Sequence, residues 1–213
     1  MKPDLNLIKT GNDFTRLTNE TREHSAQPSC DNAFMLEIIA SLKNAKTAKE
    51  ATRILFDEAQ NGNFEVINGV LFKHEDYAIQ NMLTMYGQKH ADNLKKLSEL
   101  QLSIVPEYID SFTKEHEIFI ITKVPGAKTG KLSPFNKEYD KISTESLRQA
   151  FKDFQKLTKA GLVDAGIANS TRNWFVTPDD NKVMLPVWRN LQPIQDSERT
   201  ATLEEYYQKL FRQ

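Results

Sequence analysis

The sequence predicts an α+β fold, with an antiparallel sheet in its first half and a helix-rich second half. Three observations carry this. Asn68-Gly69 separates Phe64-Glu65-Val66-Ile67 from Val70-Leu71-Phe72-Lys73. Asn-Gly between two apolar runs is the strongest short hairpin signal, because both residues adopt positive φ at low cost. Two further strand-like runs, 104–109 and 117–122, follow in the same half, and Val124-Pro125-Gly126 ends the second. Beyond that break Leu147, Ala150, Phe151, Phe154 and Leu157 recur at helical spacing.

Residues 1–31 are rich in Asn, Thr, Ser and charge without an apolar period, which predicts a disordered polar segment. Phe34, Met35, Ile38, Ile39 and Leu42 predict an amphipathic helix over 33–44. Thr47 is placed to cap a second helix from Ala48, with Ala51, Ile54 and Leu55 on one face. The competing assignment makes Ile54-Leu55-Phe56 the first strand. After the 64–73 hairpin, 77–100 reads as a helix with a break at Gly87. Residues 127–141 read as a polar loop carrying Gly130 and Pro134. Ser143 or Thr144 caps the next helix, which ends near Gly161. Two short apolar strands then flank the polar turn 177–182, and Leu203, Tyr206, Tyr207 and Leu210 mark a closing helix over 198–211. The expected organisation is a polar segment 1–31, an α+β unit 32–123, and a reduced helical unit 124–213 beyond a hinge at Val124-Pro125-Gly126.

Bulk properties exclude several classes. A chain of 213 residues buries a core without staples. The net charge of −1 offers no electrostatic footing for nucleic acid. One cysteine, Cys30, rules out an intrachain disulfide and a cysteine-based metal cluster. The four histidines lack metal-ligand spacing, so no metal site is expected. The apolar runs are too short to span a bilayer, and no secretory signal is expected at the N-terminus.

The chemistry-bearing pattern lies near the C-terminus. Asn173 opens the apolar strand Trp174-Phe175-Val176. A turn follows, and a second strand runs into Leu185-Pro186-Val187-Trp188-Arg189-Asn190-Leu191. Phosphotransfer loops of the form H-R-D-x-x-x-x-N followed by D-F-G share this layout. In that frame Ala168 takes the place of the base Asp, Gly166 that of the His, and Val187, fourteen residues past Asn173, that of the metal-binding Asp. Alanine cannot accept a substrate hydroxyl's hydrogen bond, and valine cannot ligate Mg²⁺. Asp164, taken as the base instead, would shift the register so that Asn169 becomes the paired Asn. Asp179-Asp180-Asn181 read as a solvated turn rather than a metal cluster.

On these residues, 118–213 resembles the protein-kinase fold, and within it the minimal kinases related to OspG and NleH, bacterial effectors delivered into host cells by type III secretion. Val124-Pro125-Gly126 looks like the hinge exit, and residues 185–191 are similar to the family's P-I-D-F-R-N-I segment. The resemblance implies a bilobal minimal kinase-like fold with an antiparallel N-lobe sheet and a truncated helical C-lobe. It implies that Lys73, at the end of a strand resembling V-A-I-K, Asp92, near the position of the paired helix Glu, and Asn173 are remnants of a nucleotide pocket. The phosphate-covering loop would fall at 57–64, which holds only Gly62. With Ala168 and Val187 at both carboxylate positions, the implied function is that of a pseudokinase. It would act by protein binding in a host cell, with a ubiquitin-conjugating enzyme or ubiquitin as candidate partner. No cofactor is required, and the remnant pocket leaves room for weak ATP binding. The alternatives are an atypical active kinase or other nucleotide-dependent transferase, and an unrelated small α+β adaptor.

Overall fold

The computed structural model describes residues 30–67 and 69–211. Most of the segment expected to be disordered, and Asn68 of the hairpin signal, lie outside the described residues. Chain entry is tied down at Asp31, whose backbone N–H donates to the Tyr77 hydroxyl at 3.1 Å while the hydroxyl donates back to Asp31 Oδ1.

Two helices come first. Helix α1 (Ala33–Asn44) starts at Asn32, whose side chain accepts from the Met35 N–H, and buries Met35, Ile38, Ile39 and Leu42. Helix α2 (Ala48–Gln60) is capped by Thr47, which accepts from the Glu50 N–H. Its span covers Ile54-Leu55-Phe56, so the competing strand there does not form. The hairpin follows as β1 (Glu65–Ile67) and β2 (Leu71–His74), paired with Val66 opposite Phe72. Gly69 sits at φ +71° in its turn, where a side chain would be strained.

The next segment corrects the expected 77–100 helix. Residues Tyr77–Leu83 form strand β3, and only Thr84–Ser98 are helical, as α3. Strand β3 is central, paired with β2 on one side and with β5 (Glu117–Lys123) on the other, and its first four residues are buried. A strand buried on both faces loses its alternation and resembles a helix in apolar pattern. No break occurs at Gly87. It is buried within α3, and a Cβ there would stand 2.2 Å from Ile118 Cγ2. The strand expected at 104–109 is β4 (Glu107–Lys114), displaced because Ile104 and Val105 are buried in the loop before it. The five strands form an antiparallel sheet in the order β1-β2-β3-β5-β4.

Past Lys123 the chain breaks as expected, with Gly126 at φ +80°. The expected loop 127–141 carries strand β6 (Ser133–Pro134), helix α4 (Phe135–Glu138) and a 3-10 turn. Helix α5 (Thr144–Lys159) is capped by Ser143. Then come β7 (Leu162–Asp164), the short helix α6 (Ala165–Asn169), β8 (Phe175–Val176), β9 (Val183–Met184), β10 (Leu191–Pro193) and helix α7 (Arg199–Phe211). Strand β8 pairs with β6 on one side and β9 on the other, and β7 pairs with β10, so none of them joins the sheet of the first half.

Apolar packing makes two layers on that sheet. Helices α1 and α2 cover the face carrying Phe72, Ile79, Phe119 and Ile121. Helix α3 covers the other face through Leu94 and Leu97. Ile118 and Ile120 continue there into the second half, with Phe154, Trp174, Trp188, Tyr206 and Leu210. A smaller cluster of Leu71, Ala78, Val124, Ala127, Leu132 and Met184 closes the gap beside the hinge. The architecture is α+β and compatible with a minimal kinase-like fold. No helix of the described residues is long and apolar enough to cross a membrane.

The fit of α3 on β5 depends on the missing side chain at Gly87. Gly87→Ala is expected to destabilise the chain by about 1–3 kcal/mol, since Ile118 and Met82 must move to admit one carbon. Urea unfolding measures this, and an unchanged midpoint would mean that α3 does not sit against β5 in this way.

Candidate functional site

The two halves meet where β3, α3 and the irregular segment 185–190 converge. On β2 and β3, Leu71, Lys73, Ala78 and Gln80 share the face opposite Phe72 and Ile79, because side chains alternate along strands and Lys73 lies opposite Ala78. Gln80 is 4% exposed. Helix α3 brings His90 and, one turn on, Asn93 to the same place, and His90 is wholly buried. The segment after β9 supplies backbone groups and Trp188.

These groups form one connected set of hydrogen bonds. The Trp188 N–H donates to His90 Nδ1 at 3.2 Å. With Nδ1 an acceptor, the neutral imidazole carries its proton on Nε2, which faces Gln80 Oε1 at 3.0 Å. Gln80 Nε2 then donates to the Pro186 carbonyl at 3.2 Å. Asn93 Nδ2 donates to the Trp188 carbonyl at 2.8 Å, and Trp188 Nε1 to the Leu185 carbonyl at 2.6 Å. Each buried polar side chain in the set has a partner, which is what makes its burial tolerable. Burial pushes the His90 imidazole down to about 4, and the nearby Arg189 charge acts in the same direction.

The residues singled out from sequence are placed as follows. Lys73 lies on β2, not on the strand leading into α3, and is 5% exposed. Burial pulls its amine below the usual lysine range, while Glu65 and Asp179 act against that shift. Asp92 is exposed on α3, two residues from His90 and so on another side of the helix, where it accepts from Gln88 at 3.0 Å. Asn173 is exposed ahead of the buried Trp174. Ala168 is buried in α6. Val187 is half-buried between Pro186 and Trp188, beside the hydrogen-bonded set. No hydrogen bond or ion pair of the described residues joins any two of Lys73, Asp92 and Asn173. The loop expected to cover phosphate at 57–64 is instead the end of α2 and the turn into β1. Only three residues separate β1, which ends at Ile67, from β2, which begins at Leu71, too few for a cradle of backbone amides around a triphosphate.

Asp164 is 1% exposed, and both its oxygens are occupied. Oδ1 accepts the Gly166 and Ile167 N–H groups at 2.9 and 3.2 Å, and Oδ2 accepts the Asn190 N–H at 2.9 Å. Burial raises its pKa and these bonds oppose the rise. The carboxylate caps α6 and ties it to the segment after Trp188, and at this burial a substrate has no access to it. Asp179 accepts the Lys128 N–H at 2.7 Å, the Thr129 N–H at 3.2 Å and the Thr129 hydroxyl. These bonds hold its carboxyl below the usual range, the hydroxyl most strongly. It therefore fastens the 177–182 turn to the hinge exit, as the Asp179 N–H does to the Gly126 carbonyl at 3.0 Å. No group of three or more His, Cys, Asp or Glu able to hold a metal exists among the described residues.

Sequence inspection passed over Gln80, His90 and Asn93. The signal was present: Tyr77-Ala78-Ile79-Gln80 lies on the strand leading into α3 and shares the central Ala-Ile of V-A-I-K, with Tyr for Val and Gln for Lys. Assigning 77 onward to a helix concealed it.

Among solved structures, the chain is similar to a twitchin kinase fragment of C. elegans, an autoregulated protein kinase with immunoglobulin domains. The identity is 15% and the TM-score 0.43, over 57% of this chain and 28% of that one. The match thus spans little more than a quarter of that fragment. No protein-family model matches the chain, and no curated protein matches it.

The His90 environment sets a pH response. The unfolded imidazole has its ordinary value near 6.5 and the folded one about 4, so between those values the unfolded chain binds more protons. Stability is then full above pH 6.5 and falls as pH drops toward 4, by up to about 1.4 kcal/mol per pH unit. Urea unfolding at stepped pH is expected to show this fall, with a shallower slope in His90→Gln. Equal slopes in the two proteins would contradict the buried neutral imidazole.

Proposed function

We propose that this chain is a pseudokinase-like module that acts by binding another protein rather than by transferring phosphate. One observation carries this. Kinases place a Lys on the strand before the helix and pair it with a helix Glu, with the D-F-G segment adjacent. At the corresponding junction this chain has Gln80 hydrogen-bonded to a neutral His90, which in turn receives the Trp188 N–H. That set has neither a cation for phosphate nor a carboxylate for metal. Val187 supplies no ligand, the β1–β2 connection is short, and Met184 packs with Leu71, Ala78 and Val124 beside the hinge. These features support a scaffold retained without its chemistry.

The resemblance to OspG and NleH extends the proposal to a bacterial effector delivered by type III secretion into a host cell. A host ubiquitin-conjugating enzyme, free or charged with ubiquitin, is then the first partner to test.

Radiolabelled ATP, offered with a general protein substrate and with the chain alone, tests the proposal. No label transfer is expected, and calorimetry is expected to show no tight Mg²⁺-dependent ATP binding. Transfer by the wild type that disappears in Lys73→Ala would establish an enzyme using the β2 lysine, and the proposal would be wrong.

A further inference from the structure

Just past the hinge, residues 126–132 lie across the inner face of the sheet before entering β6. Ala127 and Leu132 are buried there in one cluster with Leu71 of β2 and Ala78 of β3. Lys131 Nζ stands 3.7 Å from Glu65 of β1. These contacts surround Lys73. Leu71 precedes it by two residues on the same face, Glu65 is its partner on β1, and Ala78 is its partner on β3. Lys73 is accordingly 5% exposed, although β2 lies one strand from the edge of the sheet.

The segment is fastened firmly on one side only. Toward the second half, Asp179 accepts the Lys128 and Thr129 N–H groups, and the Asp179 N–H donates to the Gly126 carbonyl. The backbone lies so close to the 177–182 turn that a Cβ on Gly130 would stand 2.8 Å from Pro178 Cβ. Toward the sheet, no hydrogen bond of the described residues joins 126–132 to β1, β2 or β3. What holds it there is the burial of Ala127 and Leu132 and one ion pair whose lysine is 79% exposed, a kind that contributes little. Covering Lys73 opposes this hold. Among the described residues its amine has no hydrogen bond or ion pair, so closure withdraws it from water without a partner. The charges of Glu65 and Asp179 offset that cost, but burial is the larger influence on the amine.

We propose that residues 126–132 are a strap that closes over Lys73 and opens by lifting Ala127 and Leu132 off Leu71 and Ala78. The structure holds the closed state. Leu132 burial keeps the strap shut, and rehydration of the Lys73 amine draws it open. Segments held by few apolar contacts and no hydrogen bonds to the body beneath them open locally, well before the whole chain unfolds. The strap makes access to the inner face of β2 and β3 conditional. It goes beyond the protein-binding function proposed above and does not depend on it.

Two measurements on the full chain test the strap. The first is the rate at which an acetyl N-hydroxysuccinimide ester labels Lys73, mapped by mass spectrometry against Lys49, an exposed lysine of α2. Lys73 is expected to label at least about tenfold more slowly than Lys49, and about tenfold faster in Leu132→Ala than in the wild type. Leu36→Ala, at an exposed site on α1, should leave the rate unchanged. The second is hydrogen exchange over 126–132. Lys73→Met removes the cost of covering an amine, so the strap should exchange more slowly in that variant. Exchange over β5 reports the whole chain and should stay the same in every variant. Lys73 labelled as fast as Lys49 in the wild type, or no faster in Leu132→Ala, would overturn the strap. So would strap exchange that is unchanged or faster in Lys73→Met. Labelling that rises only in step with loss of β5 protection would also overturn it, because the whole chain and not the strap would then be opening. Label transfer from ATP would overturn the proposed function without touching the strap.

Discussion

The arrangement of the two halves depends on a buried, uncharged hydrogen-bond set centred on His90. Gln80 belongs to the central strand, His90 and Asn93 to the helix, and Pro186 and Trp188 to the segment beyond the hinge, so three elements from both halves close on one imidazole. Its neutrality has a physical basis. Taking a lysine and a carboxylate out of water costs several kcal/mol per ion, and a buried pair repays this only in excellent geometry. An amide and a neutral imidazole carry a smaller desolvation cost and still fix direction through their donors and acceptors. The gain is a defined junction that buries no charge.

Carboxylates elsewhere in the second half act as fasteners, two of them buried (Asp153 and Asp164) and one exposed (Asp179). Asp164 joins α6 to Asn190. Asp153, fully buried in α5, accepts the Ser103 hydroxyl at 2.6 Å, the Ile104 N–H at 3.2 Å and the Gln149 amide at 3.1 Å. Ile104 in turn accepts the Leu185 N–H at 2.8 Å, so the loop after α3 links α5 to the segment carrying Trp188. Asp179 fastens the β8–β9 turn to the hinge exit. These three acids are committed to backbone and side-chain donors.

Local signals in the sequence were legible where the physics is local. Thr47 and Ser143 cap their helices because a hydroxyl two or three residues ahead of free N–H groups needs no tertiary help. The 64–73 hairpin and the break after Lys123 follow from turn chemistry and proline. The helix assigned to 77–83 failed because β3 owes its strand state to neighbours on both sides, information absent from any local window. That assignment also hid Gln80 and His90, which lie on the strand and the helix into which the segment divides. The candidate phosphate loop at 57–64 failed for the related reason that α2 continues to Gln60.

The most direct measurement is nitrogen NMR of the His90 imidazole in the folded chain near pH 5.5, assigned with His90→Gln. The hydrogen-bond set predicts a neutral ring with its proton on Nε2 and an unprotonated Nδ1 accepting from the Trp188 N–H. A ring protonated on both nitrogens, or one carrying its proton on Nδ1, would contradict it.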